Sequence, residues 1–157
     1  MNRRVYVETT VASYLTARPS RDLVAAAHQE LTREWWTNHR YRFDLYVSDI
    51  VLREAAGGDE TAAARRIAEL QGIDVLVLDD RARELARLFV ERGVIPAKAV
   101  EDAFHVAVAT AQGMDFLLTW NCRHIANAEV VERLEAICLE MGYRMPTLCT
   151  PEQLMGD

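Results

Sequence analysis

The sequence predicts a single α/β domain of three layers, with helices on both faces of a central, mostly parallel sheet. Three observations predict it: short β-branched or aliphatic runs, longer helical patterns between them, and cap residues at the changeovers. Half of the 157 residues are hydrophobic and 27% are charged, enough apolar material for one core and too much for a disordered chain. Residues 1–157 are therefore read as one domain.

In chain order, the β-rich runs are Val5-Tyr6-Val7, Leu45-Tyr46-Val47, Val75-Leu76-Val77-Leu78 and Phe116-Leu117-Leu118. The last two are continuously apolar, as strands covered on both faces are. Ser20 is expected to cap a helix running to about Asn38, with Asp22 in its first turn. Asp59 is expected to cap a helix that closes at Gly72, and Asp79 or Asp80 one that closes at Gly93. Pro96 opens a further helix that closes at Gly113, and a last one covers roughly Glu129 to Met141. Strands alternating with helices call for crossover connections and hence parallel pairing.

Composition excludes several classes of function. Eighteen basic residues against 24 acidic ones leave a formal charge of −6, without the basic footprint of a general phosphate binder. The longest stretch without a formal charge, Ala103 to Met114, is too short to span a bilayer. The N-terminus turns acidic at Glu8 before an apolar segment builds up, so no signal peptide is predicted. Cys122, Cys138 and Cys149 are an odd, scattered set, read as reduced thiols of a cytoplasmic protein. Neither GxGxxG nor GxxxxGK[ST] occurs, which weighs against a small nucleotide-binding or phosphotransfer domain.

The informative residues are those that follow the strands. Val7 runs into Glu8-Thr9-Thr10, Val47 into Ser48-Asp49 with Glu54 further along the next helix, and Leu118 into Thr119-Trp120-Asn121. Parallel sheets bind ligands beyond the carboxyl ends of their strands, so these groups are expected at one end, with Asp102 near them. Glu8, Glu54 and Asp102 crowded into a crevice repel one another, and such a cluster either raises its pKa values or recruits a cation. All the donors are hard oxygens, suited to Mg²⁺ or Mn²⁺ and wrong for thiolate zinc. The chemistry such a set supports is metal-assisted hydrolysis of a phosphodiester.

The ordered set Tyr6-Val7-Glu8-Thr9-Thr10, Ser48 with Glu54, Glu101-Asp102-Ala103-Phe104-His105 and Leu117-Leu118-Thr119-Trp120-Asn121 resembles the PIN domain. More narrowly, it is similar to the VapC-type toxins of type II toxin–antitoxin systems, from Val5 to about Asn127. The resemblance implies a PIN-like α/β/α domain and an Mg²⁺- or Mn²⁺-dependent ribonuclease acting on RNA. It further implies a cognate antitoxin and a homodimer. The family's four acidic positions fall on Glu8, Glu54, Asp102 and Asn121, and its strand-end hydroxyl on Thr10. Glu8 and Asp102 are then the core metal ligands, Glu54 positions the metal or its water, and Thr119 and Asn121 orient water or phosphate. Two residues depart from the pattern: Glu8 stands where Asp is usual, and the uncharged Asn121 stands where an acid is frequent, which favours one metal over two. The same departures motivate the alternative of a catalytically weak PIN-fold module that binds RNA or antitoxin.

Plainer roles compete for several residues. Glu8 has Arg3 and Arg4 as available ion-pair partners, Glu54 has a rival in Asp49, and His105 fits a hydrogen-bonding role in a helix interface. Asp115 precedes its strand and reads as structural. Of the adjacent Trp35 and Trp36, at least one is expected in the core, the other being a candidate interface anchor. His124 and Arg123 are candidate phosphate contacts, and Arg18, Arg21 and Arg53 are candidate guides for an RNA backbone.

Overall fold

A computed structural model describes residues 1–156. Its centre is β1 (Arg3–Val7), in which Val5, Tyr6 and Val7 are fully buried. On one side lie β2 (Phe43–Ser48) and β3 (Asp74–Leu76); on the other lie β4 (Phe116–Leu118) and β5 (Thr147–Cys149). All four pairings are parallel, and the order is β3-β2-β1-β4-β5. Val7 stands opposite Leu118, Ser48 opposite Leu76 and Leu118 opposite Cys149, so the carboxyl ends of the strands are level.

The helices are α1 (Thr9–Thr16), α2 (Leu23–Asn38), α3 (Asp49–Ala55), α4 (Glu60–Leu70), α5 (Asp80–Glu91), α6 (Val100–Ala111) and α7 (Ala128–Glu140). α1 packs with α2, α3 and α4, whereas α5 packs with α6 and α7, and these helices cover the sheet as a three-layer sandwich. The core runs through all three layers, from Val11 and Trp35 through Tyr6 and Leu117 to Phe89 and Val106.

Most boundaries follow the expected chemistry. Asp59 and Asp79 cap α4 and α5 by accepting from the backbone N–H groups of Ala62 and Ala82, each satisfying a donor that has no partner within its helix. Gly113, at φ 71°, turns the chain out of α6 through a conformation that costs other residues energy.

Five features differ from the sequence reading. The cap of α2 is Asp22, whose carboxylate accepts from Ala25 N; Ser20 instead accepts from Asp22 N through its hydroxyl. After Pro96 the chain makes a short 3-10 turn over Ala97–Ala99, and the α-helix begins at Val100, placing Asp102 in its first turn. The third strand is shorter than its apolar run, ending at Leu76. Helix α1 and the edge strand β5 are additional elements. Both tryptophans are buried, Trp35 with its indole N–H on Leu154 O and Trp36 with Arg40 stacked on its ring, so neither is an exposed anchor.

Candidate metal centre at the strand ends

The chain leaves β1 for β2 on one side and reaches β4 on the other, so the order reverses between β1 and β4. The crevice of an open parallel sheet forms at such a reversal, beyond the carboxyl ends. Glu8 stands at the end of β1 and Thr119 at the end of β4, and their backbones continue the ladder: Glu8 N donates to Leu118 O and Thr119 N to Cys149 O.

Glu8 is only 3% exposed and takes no ion pair with Arg3 or Arg4, whose guanidinium groups stack over Phe116 and Tyr46. Its carboxylate is held by neutral donors. Thr10 Oγ1 and Thr119 Oγ1 each donate to Glu8 Oε1 at 2.6 Å, and Thr10 N donates to Oε2 at 3.2 Å, making Glu8 the N-cap of α1. Thr10 Oγ1 also accepts from Trp120 N at 2.8 Å, which ties the loop after β4 to the start of α1.

Glu54 reaches the same crevice from α3. Its Oε1 accepts from Thr9 Oγ1 at 2.5 Å and from His105 Nε2 at 2.6 Å. Burial raises the Glu54 pKa, but the His105 hydrogen bond and charge, with help from Thr9 and Arg53, bring it below its ordinary value. The rival Asp49 is exposed in the first turn of α3.

Asp102 enters from α6. Burial holds its carboxyl above the ordinary range, partly offset by the Asn121 side chain and by the charges of His105 and His124, while Glu54 pushes it further up. Asn121 is fixed from behind: its Oδ1 accepts from Arg123 N and His124 N at 3.2 and 3.0 Å. The sequence-selected residues Glu8, Thr10, Glu54, Asp102, Thr119 and Asn121 are thus neighbours of one another or of His105. Arg123 is exposed, and His124 contributes its charge to Asp102. Arg53 pairs with Glu101 at 3.3 Å, Arg18 and Arg21 lie exposed on the α1–α2 connection, and Asp115 accepts from Arg4 N at the opposite end of the sheet.

Carboxylate oxygens of Glu8 and Glu54 and a ring nitrogen of His105 lie within 4.8 Å of one another. Asp102 bears on the same histidine. Such a set of carboxylate oxygens suits a hard divalent cation, which would relieve their mutual repulsion.

No protein-family model matches the chain, and no curated protein sequence does. Solved structures do. A chain of the VapBC2 complex of Rickettsia felis, crystallised on a DNA fragment of its promoter, superposes with a TM-score of 0.55 at 15% identity, covering 94% of this chain and 98% of that one. VapC20 of Mycobacterium tuberculosis, a toxin that cleaves the sarcin–ricin loop, superposes at 0.59 with 18% identity, covering 76% of this chain and 92% of its own. This chain has the PIN fold of the VapC toxins.

Within that VapC fold, the sequence undervalued His105. It is completely buried, and its Nδ1 lies 2.7 Å from Tyr6 Oη, which in turn lies 2.7 Å from Ser48 Oγ. Its spacing three residues after Asp102 was the available signal: i and i+3 share a helix face. One wall beside the crevice is aromatic. Trp120 stacks on His28 at 4.0 Å with Tyr14 edge-on to both, and its indole N–H donates to Thr32 Oγ1. Among the described residues, no helix is long and apolar enough to cross a membrane.

Proposed function

We propose that the protein is a metal-dependent endoribonuclease, the toxin of a type II toxin–antitoxin pair, acting on RNA in the cytoplasm. The observation that supports this most is the meeting of Glu8 and Glu54 carboxylate oxygens with His105 at the order reversal of a VapC-like sheet, where the charge of Asp102 acts on the same histidine. In this reading Glu8, Glu54 and Asp102 would hold one Mg²⁺ or Mn²⁺. Bound there, the ion would neutralise phosphate charge and lower the pKa of a water molecule, the chemistry that phosphodiester hydrolysis needs.

The chain's own residues supply the rest. Thr10 and Thr119 hold the Glu8 carboxylate by two hydroxyl bonds. Asn121, its carbonyl oxygen satisfied by backbone N–H groups, turns its amide toward Asp102, where it would also donate to the incoming phosphate. Arg123 and His124, next along the same loop, would meet the RNA backbone. An acidic protein could grip a polyanion here because a cation held by these carboxylates would invert the local field. The partners in this reading are RNA, a protein antitoxin such as the VapB of the VapBC2 complex, and a second copy of the chain.

The test is cleavage of a defined RNA with Mg²⁺ or Mn²⁺, with and without EDTA, by wild type, Glu8→Ala and Asp102→Ala. Cleavage that survives EDTA, or full activity in both variants, overturns the proposal. RNA binding without turnover at saturating metal supports instead a catalytically weak binding module, a reading favoured by the uncharged Asn121.

A further inference from the structure

His105 stands where a metal ligand is expected on proximity alone: one of its ring nitrogens falls within 4.8 Å of carboxylate oxygens of Glu8 and Glu54. Its hydrogen bonds assign it another role. Nε2 is 2.6 Å from Glu54 Oε1, and because a carboxylate oxygen accepts, Nε2 carries the hydrogen and has no lone pair for an ion. Nδ1 is occupied by Tyr6 Oη at 2.7 Å, deep in the core. The chain of bonds is closed. Ser48 Oγ contacts Tyr6 Oη and accepts from Val51 N, so it is anchored at the start of α3, the helix whose last turn carries Glu54.

Ser48, Tyr6 and His105, all buried, and the half-buried Glu54 therefore form a chain of contacts that leaves α3, passes through β1 and α6, and returns to α3. Thr9 adds a second donor to the same Glu54 oxygen at 2.5 Å. Among the described residues, Glu54 Oε2 takes no hydrogen bond and is the oxygen left free. A glutamate side chain has three torsions to fix, and holding one oxygen with two donors removes most of that freedom before a ligand arrives.

We propose that His105 is a positioning residue, not a ligand: backed by Tyr6 and Ser48, it holds Glu54 Oε1 so that Oε2 faces the divalent cation. The proposal rests on the metal reading above. It resembles the outer-shell logic of metal sites generally, with the histidine supporting a ligating carboxylate. It also accounts for a completely buried imidazole on a helix otherwise lined by Ala103, Val106 and Ala107.

The experiment is Mn²⁺ binding to the full chain, followed by calorimetry and by pulsed electron paramagnetic resonance, in wild type, His105→Gln, His105→Asn and Tyr6→Phe. Glutamine reaches the Nε2 position and keeps a donor for Glu54, whereas asparagine reaches only the Nδ1 position. The expected result is near wild-type affinity for His105→Gln and a loss of about tenfold to a hundredfold for His105→Asn. Tyr6→Phe, which retains the ring volume, should lose about threefold and keeps the test open if the asparagine variant does not fold. No ¹⁴N coupling in the wild-type spectrum should vanish on substitution of His105.

A nitrogen coupling lost in His105→Asn makes the residue a ligand and overturns the proposal. So does equal weakening in His105→Gln and His105→Asn, which would mark a purely structural role, and so does unchanged affinity in Tyr6→Phe. Wild-type protein that binds no Mn²⁺ overturns the metal reading and this proposal together. Wild type that binds while a folded His105→Asn binds equally well overturns this proposal alone.

Discussion

Thr119 Oγ1 donates to Glu8 Oε1 at 2.6 Å, joining the end of β4 to the end of β1 across 111 residues of sequence. The bond fixes a buried carboxylate without neutralising it, since a hydroxyl carries no charge, and so leaves it attractive to a cation. Thr119→Val keeps the shape and removes the donor; Mn²⁺ affinity measured by calorimetry should fall about tenfold, with Thr119→Ser restoring most of it. Equal affinity in the valine variant would show that Thr10 suffices.

Burial raises the Asp102 pKa and Glu54 adds to the effect, so the charged form of Asp102 costs the fold stability. A group whose folded pKa is raised destabilises the fold as pH climbs through its unfolded value and the folded site resists losing the proton. Asp102→Asn should therefore melt higher than wild type in EDTA at pH 7, and cleave RNA at least about a hundredfold more slowly with metal. Mn²⁺ at a hundred times its dissociation constant should stabilise wild type by about 2.7 kcal/mol and the variant by much less, read from thermal melts with and without EDTA. A variant that melts lower in EDTA would contradict this account.

Asp79 offers a pH prediction away from the site. The Ala82 N–H, followed by Arg81, holds its carboxyl below the ordinary 3.8, despite an opposing effect of burial. A depressed carboxyl stabilises the fold above its unfolded pKa, and the contribution is lost as pH falls through the lower folded value. Asp79→Ala should cost about 1 kcal/mol at pH 7 in urea melts, Asp79→Asn much less, and the gap between wild type and the alanine variant should narrow below pH 3.8 toward that of the asparagine variant.

The three thiols should separate by reactivity. Burial pushes Cys138 up to about 11 and Cys149 up to about 12, and both are buried, whereas Cys122 is exposed on the loop after β4. Thiolate is the reacting form, so at pH 8 iodoacetamide should label Cys122 alone in the folded chain and all three cysteines after unfolding. Mass spectrometry of the labelled peptides checks it.

Much of the fold was legible because β1, β2 and β4 each end an apolar run on a polar residue, and because Asp59, Asp79 and Gly113 mark helix ends by local chemistry alone. Glu8, Glu54, Asp102 and Asn121 were legible for the same reason: their spacing from strand ends and helix starts places them in space. Helix α1 escaped because its cap is a glutamate and its first residues are threonines, which favour strands. Strand β5 escaped because three residues, Thr147–Cys149, form it between two prolines, with too short a period to read. The network of His105 was hidden for a different reason. A lone histidine on an apolar helix has the same local pattern whether it merely fills the core or grips a carboxylate, and only the long-range approach of Tyr6 and Glu54 distinguishes the two.

The central strand is also the first to be made, and its neighbour β4 comes more than a hundred residues later. On a translating ribosome, Glu8 emerges 111 residues ahead of Thr119, the residue whose hydroxyl it needs. Long-range pairings of this kind close slowly. A nascent fragment that stops short of the fourth strand therefore has no finished crevice, however much of the sheet it has already formed.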